Sequence, residues 1–333
     1  MDLRTQKQQN PVAEEVAALV AVVRPTLIGL LWGLKADVVA EVGGRQDVKL
    51  KMLARLQRPG DGDCGICFEY AVHDSLRRQD ARVVERVDEA LQLCNVPGNA
   101  LRSILFAVEK TGSEQLIDTA RDLVTGESRL LSGTRGQPAK LNKHMEGIAQ
   151  AFRRPSARAA LPWSISGVWK ADLFLGNTDT DRWVATTVKV NPNALEAARG
   201  LRVGIVPASH TETDAPYVDD RRNLVVCPLL HDGNFMQVFY EGWQIVQAFL
   251  AADARMPTEV ALPRPPMRQV AQMLVDRREF PVPDVYEALA AFAQPELLVT
   301  EEQQADVELQ RGAETEVQSV VVPEAQTIDP RSS

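Results

Sequence analysis

The spacing of apolar and polar residues divides this chain into helix, then strand, then helix again. Residues 11–57, dominated by Ala, Leu, Val, Glu and Lys, predict helix with a break at Val42-Gly-Gly-Arg45. Arg58-Pro-Gly-Asp-Gly-Asp63 reads as a turn or loop. Amphipathic helices are predicted over Ile66–Arg78 and Ala81–Leu93, with a further helical pair between Asn99 and Thr125. Strands follow near 163–175, 182–190, 201–207 and 223–229, and a short helix over Asn193–Arg199 separates the second from the third. After the turn at His231-Asp-Gly233 comes a strong helix, Phe235–Ala252, with an aromatic stripe through Trp243. Met256–Pro266 is proline-rich and extended, and helices are expected near 268–278 and 284–293. This order predicts an α/β (α+β) fold with a mixed central sheet flanked by helices, not a regular βαβ alternation.

The corresponding segments are an N-terminal helical one (1–60), a core (61–255), C-terminal helices (256–298) and an acidic, Gln-rich tail (299–333) expected to be disordered. The tail changes how the charge is read. From Thr300 to Ser333 eight acids face two arginines, so it carries −6 of the chain's −8 and leaves −2 for the rest. A near-neutral body is compatible with a polyanionic partner. Within it, residues 129–158 hold Arg129, Arg135, Lys140, Lys143, Arg153, Arg154 and Arg158 against the single acid Glu146. Such a stretch suits the positioning of phosphates, or equally a solvated helix face. Ala17–Leu34 is the most apolar run, and Arg24-Pro25-Thr26 is expected to split it into pieces too short to span a bilayer. The polar start and four scattered cysteines give a cytoplasmic expectation without a disulfide scaffold. No glycine-rich phosphate loop follows a strand.

Candidate chemistry concentrates in a charged hairpin. Lys170-Ala-Asp-Leu-Phe-Leu-Gly176 and Trp183-Val-Ala-Thr-Thr-Val-Lys-Val-Asn-Pro192 flank the polar turn Asn177-Thr-Asp-Thr-Asp-Arg182. With period-two alternation, Lys170, Asp172 and Phe174 share one face of the first strand, and Thr187 and Lys189 one face of the second. Asp172 and Lys189 therefore can meet. Charges in β-branched, aromatic segments need partners, because desolvating them is costly. One reading is a cross-strand ion pair at a sheet edge, worth little energetically.

A second reading comes from family resemblance. A helix opening Gly65-Ile-Cys-Phe-Glu69, then Asp172, then a strand ending in Lys189 resembles the PD-(D/E)xK nuclease superfamily, with its restriction-endonuclease-like fold, over roughly residues 64–235. That resemblance implies Asp172 as principal metal ligand, Glu69 as the helix acid, the Val188 carbonyl as a further ligand and Lys189 as catalytic lysine. It further implies Mg²⁺ (or Mn²⁺), a DNA substrate, a possible homodimer and a role in prokaryotic defence. Phosphodiester hydrolysis needs a hard cation on carboxylate oxygens and a cationic side chain near the developing charge. Thr187 stands where the family carries Glu or Asp, so Glu69 or Glu196 must supply the missing charge, or the site binds without cleaving.

Rival constellations remain. Cys64-Gly-Ile-Cys67-Phe68 superficially resembles the run around the nucleophile of papain-like proteases, which implies Cys67 as nucleophile at a helix N-terminus and His210 or His231 as base. Cys64, Cys67, His73 and Cys94 offer four zinc donors without a second tight pair. His210-Thr-Glu-Thr-Asp214 is a polar loop with possible chelating groups. A catalytically degenerate module that binds nucleic acid or a partner protein is the non-enzymatic alternative.

Overall fold

The computed structural model describes residues 12–57, 64–106, 122–131, 138–208, 215–230 and 235–293, all within the compact unit Val12–Ala293. The acidic tail, Arg135, His210 and His231 lie outside the described residues.

Helix α1 (Glu14–Gly33) is the hub of the larger core. It is apolar nearly all round and packs against α4 (Cys64–Arg77), α7 (Phe235–Ala251), α8 (Pro265–Asp276) and α9 (Val282–Ala293). The N-terminal helices are thus part of the core. Two short helices, α2 (Ala36–Glu41) and α3 (Leu50–Leu56), lead from α1 to α4, and α5 (Ala81–Leu93) follows it. Among the described residues α1 alone is long and apolar enough to cross a membrane, and most of it is buried inside the protein.

Pro25 does not split α1, contrary to the expectation from sequence. A proline removes its own N–H and leaves the carbonyl four residues earlier without a helical partner. Here Arg78, just after α4, donates to the Ala21 carbonyl at 3.3 Å. Arg78 is held in turn by Asp74, which also pairs with Arg24 and Arg77. A tertiary ion cluster thus compensates a break that local rules predict.

The sheet is mixed and eight-stranded, in the order β1-β4-β5-β6-β8-β7. It contains β1 (Leu101–Leu105), β4 (Leu173–Asn177), β5 (Arg182–Val188), β6 (Leu201–Pro207), β7 (Tyr217–Asp219) and β8 (Leu224–Leu229). Strands β1, β4 and β5 run antiparallel in turn, then β6 and β8 run parallel to β5. Two short strands that sequence did not predict, β2 (Arg129–Leu131) and β3 (Ala139–Lys140), pair beside the start of β5. Side-chain alternation separates two cores. Leu173, Leu175, Val184 and Val188 face the α1 side, while Phe174, Trp183 and Ala185 face a smaller cluster under α6 (Leu141–Arg153).

Three local expectations change. The strand forecast for 163–175 begins only at Leu173. Pro162 opens a turn at Trp163–Ile165, and at Gly167 a Cβ would stand 2.4 Å from the Arg199 carbonyl, so the chain folds into a second turn at Val168–Lys170. Part of the helical pair forecast for 99–125 is strand β1, because pairing with β4 outweighs local preference; residues 107–121 lie outside the described set. The helix forecast for 193–199 shrinks to the turn Pro192–Ala194, which is capped by the Asn191 side chain.

His73 on α4 packs within 3.0 Å of Ser103 on β1. Burial pushes its imidazole from 6.5 down to about 4, with Arg77 and Arg24 adding to the effect and Asp74 opposing it. The unfolded chain therefore binds the extra proton between these values. Stability is complete above pH 6.5 and declines as pH falls toward 4, by on the order of 3 kcal/mol. Urea titrations from pH 7 to 4 should show this slope, and His73→Gln should flatten it.

Candidate active site

Pairing of Leu173 with Thr186 sets Asp172 opposite Thr187 at one end of the β4–β5 hairpin. The Asp172 backbone is fixed on both sides: its N–H donates to the Thr186 carbonyl at 2.9 Å and its carbonyl accepts from Phe106 at 2.8 Å. Its side chain then takes three donors on one oxygen. Thr187 Oγ1 donates to Oδ2 at 2.9 Å, the Val188 N–H at 2.8 Å and Lys189 Nζ at 2.9 Å. Among the described residues no hydrogen bond is made to Oδ1. The Asp172 carboxylate is 16% exposed and the Lys189 side chain 32%, so the pair is largely sheltered yet open at one side.

Glu69 sits in the middle of α4, buried beside the same sheet end. Burial alone depresses the Lys189 ammonium. Asp172, then Glu69, the Asp172 hydrogen bond and Glu196 outweigh it, so the net effect raises Lys189 above 10.5. Lys189 is therefore cationic at neutral pH and is the shared counter-charge of carboxylates from three different elements. Glu196 is itself exposed and paired with Lys170. That pairing holds its carboxyl below the ordinary value.

The donor chemistry suits a hard divalent cation. Asp172 and Glu69 together outweigh Lys189 by one negative charge, and Asp172 Oδ1 is not engaged by a protein donor. Among the described residues no group of three or more His, Cys, Asp or Glu is placed to hold a metal ion. Two carboxylates would leave the remaining positions of a bound Mg²⁺ to water and substrate phosphate. The same observation removes the proposed zinc set of Cys64, Cys67, His73 and Cys94.

Other sequence-predicted residues fall elsewhere. Thr187 is a hydrogen-bond donor to Asp172, not a substitute acid. Val188 is engaged with the site through its N–H. Arg129 and Lys140 lie at the other end of the hairpin from Asp172 and Lys189. Arg129 pairs with Arg182 in register, about seven residues along β5 from Lys189 and so roughly 20 Å away. Both cations instead hold Glu127. The short β2–β3 pairing, invisible to periodicity, carries them to the far end. Lys143 and Arg154 are exposed on α6 and just after it, and the Arg153 side chain lies outside the described set.

Cys67 is fully buried, its Sγ donating to the Thr26 carbonyl at 3.5 Å. A Cβ on Gly29 would stand 3.0 Å from the Cys67 Cα, so α1 closes directly over it. A nucleophile there has no path to substrate. No family model, curated protein or solved structure matches this chain.

Proposed function

We propose that the chain is a divergent PD-(D/E)xK nuclease, with a restriction-endonuclease-like core, that hydrolyses phosphodiester bonds of DNA. The observation that carries this reading is the convergence of Asp172 and Lys189, with Glu69 coupled to them, at one sheet end. They come in the order helix acid, strand Asp, strand Lys, and the elements run as helix, antiparallel three-strand meander, then parallel strand. A bare cross-strand ion pair does not account for the rest of the arrangement. Thr187 and Val188 fix the carboxylate, and a buried helix glutamate adds a second negative charge toward the lysine.

In this reading Thr187 Oγ1 and the Val188 N–H orient Asp172, and Lys189 Nζ provides positive charge where the phosphate's charge develops. Asp172 and Glu69 would hold Mg²⁺, which when bound supplies Lewis acidity toward the scissile phosphate. With no third acid at the site among the described residues, metal affinity should be weak, so cleavage should require millimolar rather than micromolar Mg²⁺.

The test is incubation of the full chain with labelled duplex and single-stranded DNA and with RNA, with Mg²⁺, with Mn²⁺ and with chelator. Metal-dependent cleavage of DNA is expected, retained in Cys67→Ala at matched folded fraction. Folded protein that cuts none of these substrates with either metal overturns the proposal. Retained, salt-sensitive DNA binding without cleavage would identify a binding module built on the same site.

A further inference from the structure

We propose that the ledge formed by Trp163, Trp169, Arg158 and Arg199 stacks the bases of single-stranded nucleic acid beside the Asp172–Lys189 site. The inference rests on the phosphodiester reading and narrows its substrate to one with an unpaired strand.

Of the five tryptophans only Trp163 is exposed, at 63%. An indole this exposed contributes little to folding, yet its position is closely fixed. Pro162 precedes it in a tight turn. Gly200 takes φ +87°, and a Cβ there would stand 2.4 Å from Val168 Cγ2; together with Gly167 this locks 163–170 against 198–200. Through that lock the Arg199 guanidinium sits 4.5 Å from the Trp163 ring centroid. Six residues on, Arg158 lies 3.7 Å from the Trp169 ring centroid, with its Nε donating to the Ala151 carbonyl at 2.9 Å. Two indoles thus each carry a guanidinium.

The ledge adjoins the site. Lys170 follows Trp169, lies 5.6 Å from its ring centroid and pairs with Glu196, whose charge reaches Lys189. Asp172 is two residues further on. An exposed indole flanked by guanidinium groups matches a ligand that alternates flat apolar rings with anions. Bases in an intact duplex are already stacked on one another, whereas unpaired bases offer free faces to an aromatic ring. The ledge therefore favours a single strand, a frayed end or a flap.

The test measures binding in chelator, where no cleavage occurs, by fluorescence anisotropy of labelled oligo-dT, oligo-U and a duplex of equal length. Oligo-dT or oligo-U should bind the wild type and quench its tryptophan emission. Trp163→Ala should weaken this binding roughly tenfold, the value of one stacked base, and leave the duplex unchanged. Trp163→Phe, which keeps an aromatic face, should retain most of the affinity. Wild-type protein that fails to bind either single strand, or Trp163→Ala with unchanged affinity, overturns the ledge. Metal-dependent cleavage of duplex is read separately. Its persistence alongside a failed ledge sinks only this inference. Absence of cleavage of every DNA and RNA substrate, duplex and single-stranded, alongside Trp163-dependent binding sinks only the hydrolase reading.

Discussion

Lys189→Ala is expected to lower the cleavage rate by about 10²–10³-fold, the cost of removing one preorganised charge from a developing anion. Asp172→Ala is expected to lower it at least as far, because it removes both the proposed metal ligand and the acceptor of three hydrogen bonds. The two should differ in their metal response. Lys189→Ala retains both carboxylates, so excess Mn²⁺ should still bind, as read by Mn²⁺ electron paramagnetic resonance; Asp172→Ala should not bind it. Both variants should remain folded, since the pair is partly solvated and contributes little to stability. Lys189→Arg keeps the charge but not the compact ammonium, and should recover only part of the rate. The raised Lys189 value gives a further check. Its stabilising charge is fully present below 10.5 and is lost only as pH rises through the higher folded value. The alkaline limb of the pH–rate profile should therefore lie above pH 10.5. An acidic or neutral break that vanishes in Lys189→Ala would contradict this assignment, as would full activity in either alanine variant.

Asp74→Ala is expected to destabilise the protein by about 3–5 kcal/mol, the cost of leaving a buried charge without its partner. Arg24 is 4% exposed in the middle of α1, and burial already holds its guanidinium below the ordinary range while Asp74 works against that. Among the described residues its Nε has no hydrogen-bond partner even in the native arrangement. Removing Asp74 would also release Arg78, which satisfies the Ala21 carbonyl freed by Pro25. Urea denaturation of the single variants and of Arg24→Met/Asp74→Leu tests this directly. The double variant should recover much of the loss, since an apolar pair of similar volume often replaces a buried ion pair at little cost. A loss below about 1 kcal/mol in Asp74→Ala would show that the cluster is not what holds α1 together.

Legibility from sequence followed the range of the interactions involved. The helix Phe235–Ala251 and the strands β5, β6 and β8 were readable because their own residues repeat at the period of the element that buries them. The hairpin of Asp172 and Lys189 was readable for the same reason, aided by a turn of Asn, Thr and Asp between its strands. Strand β1 was misread as helix, and the turns at 163–170 as strand, because pairing with β4 and packing against 198–200 decide those segments. Arg129 and Lys140 looked like neighbours of the active hairpin because they precede it in the chain. A parallel pairing of three residues puts them at its other end.

The sequence by itself determined that Asp172 and Lys189 fall in apolar, β-branched segments and therefore require partners, while Glu69 entered only through the family resemblance. It also determined that Thr187 and Lys189 share a strand face, since alternation is a local property of the backbone. Only the tertiary structure decided that Thr187 donates to Asp172, that Val188 engages it through its N–H, and that Glu69 reaches the same lysine from α4. Only it closed α1 over Cys67 and set Arg199 over the Trp163 ring. Those outcomes depend on distances between residues far apart in the chain, which are fixed by burial of the whole core and not by any local period.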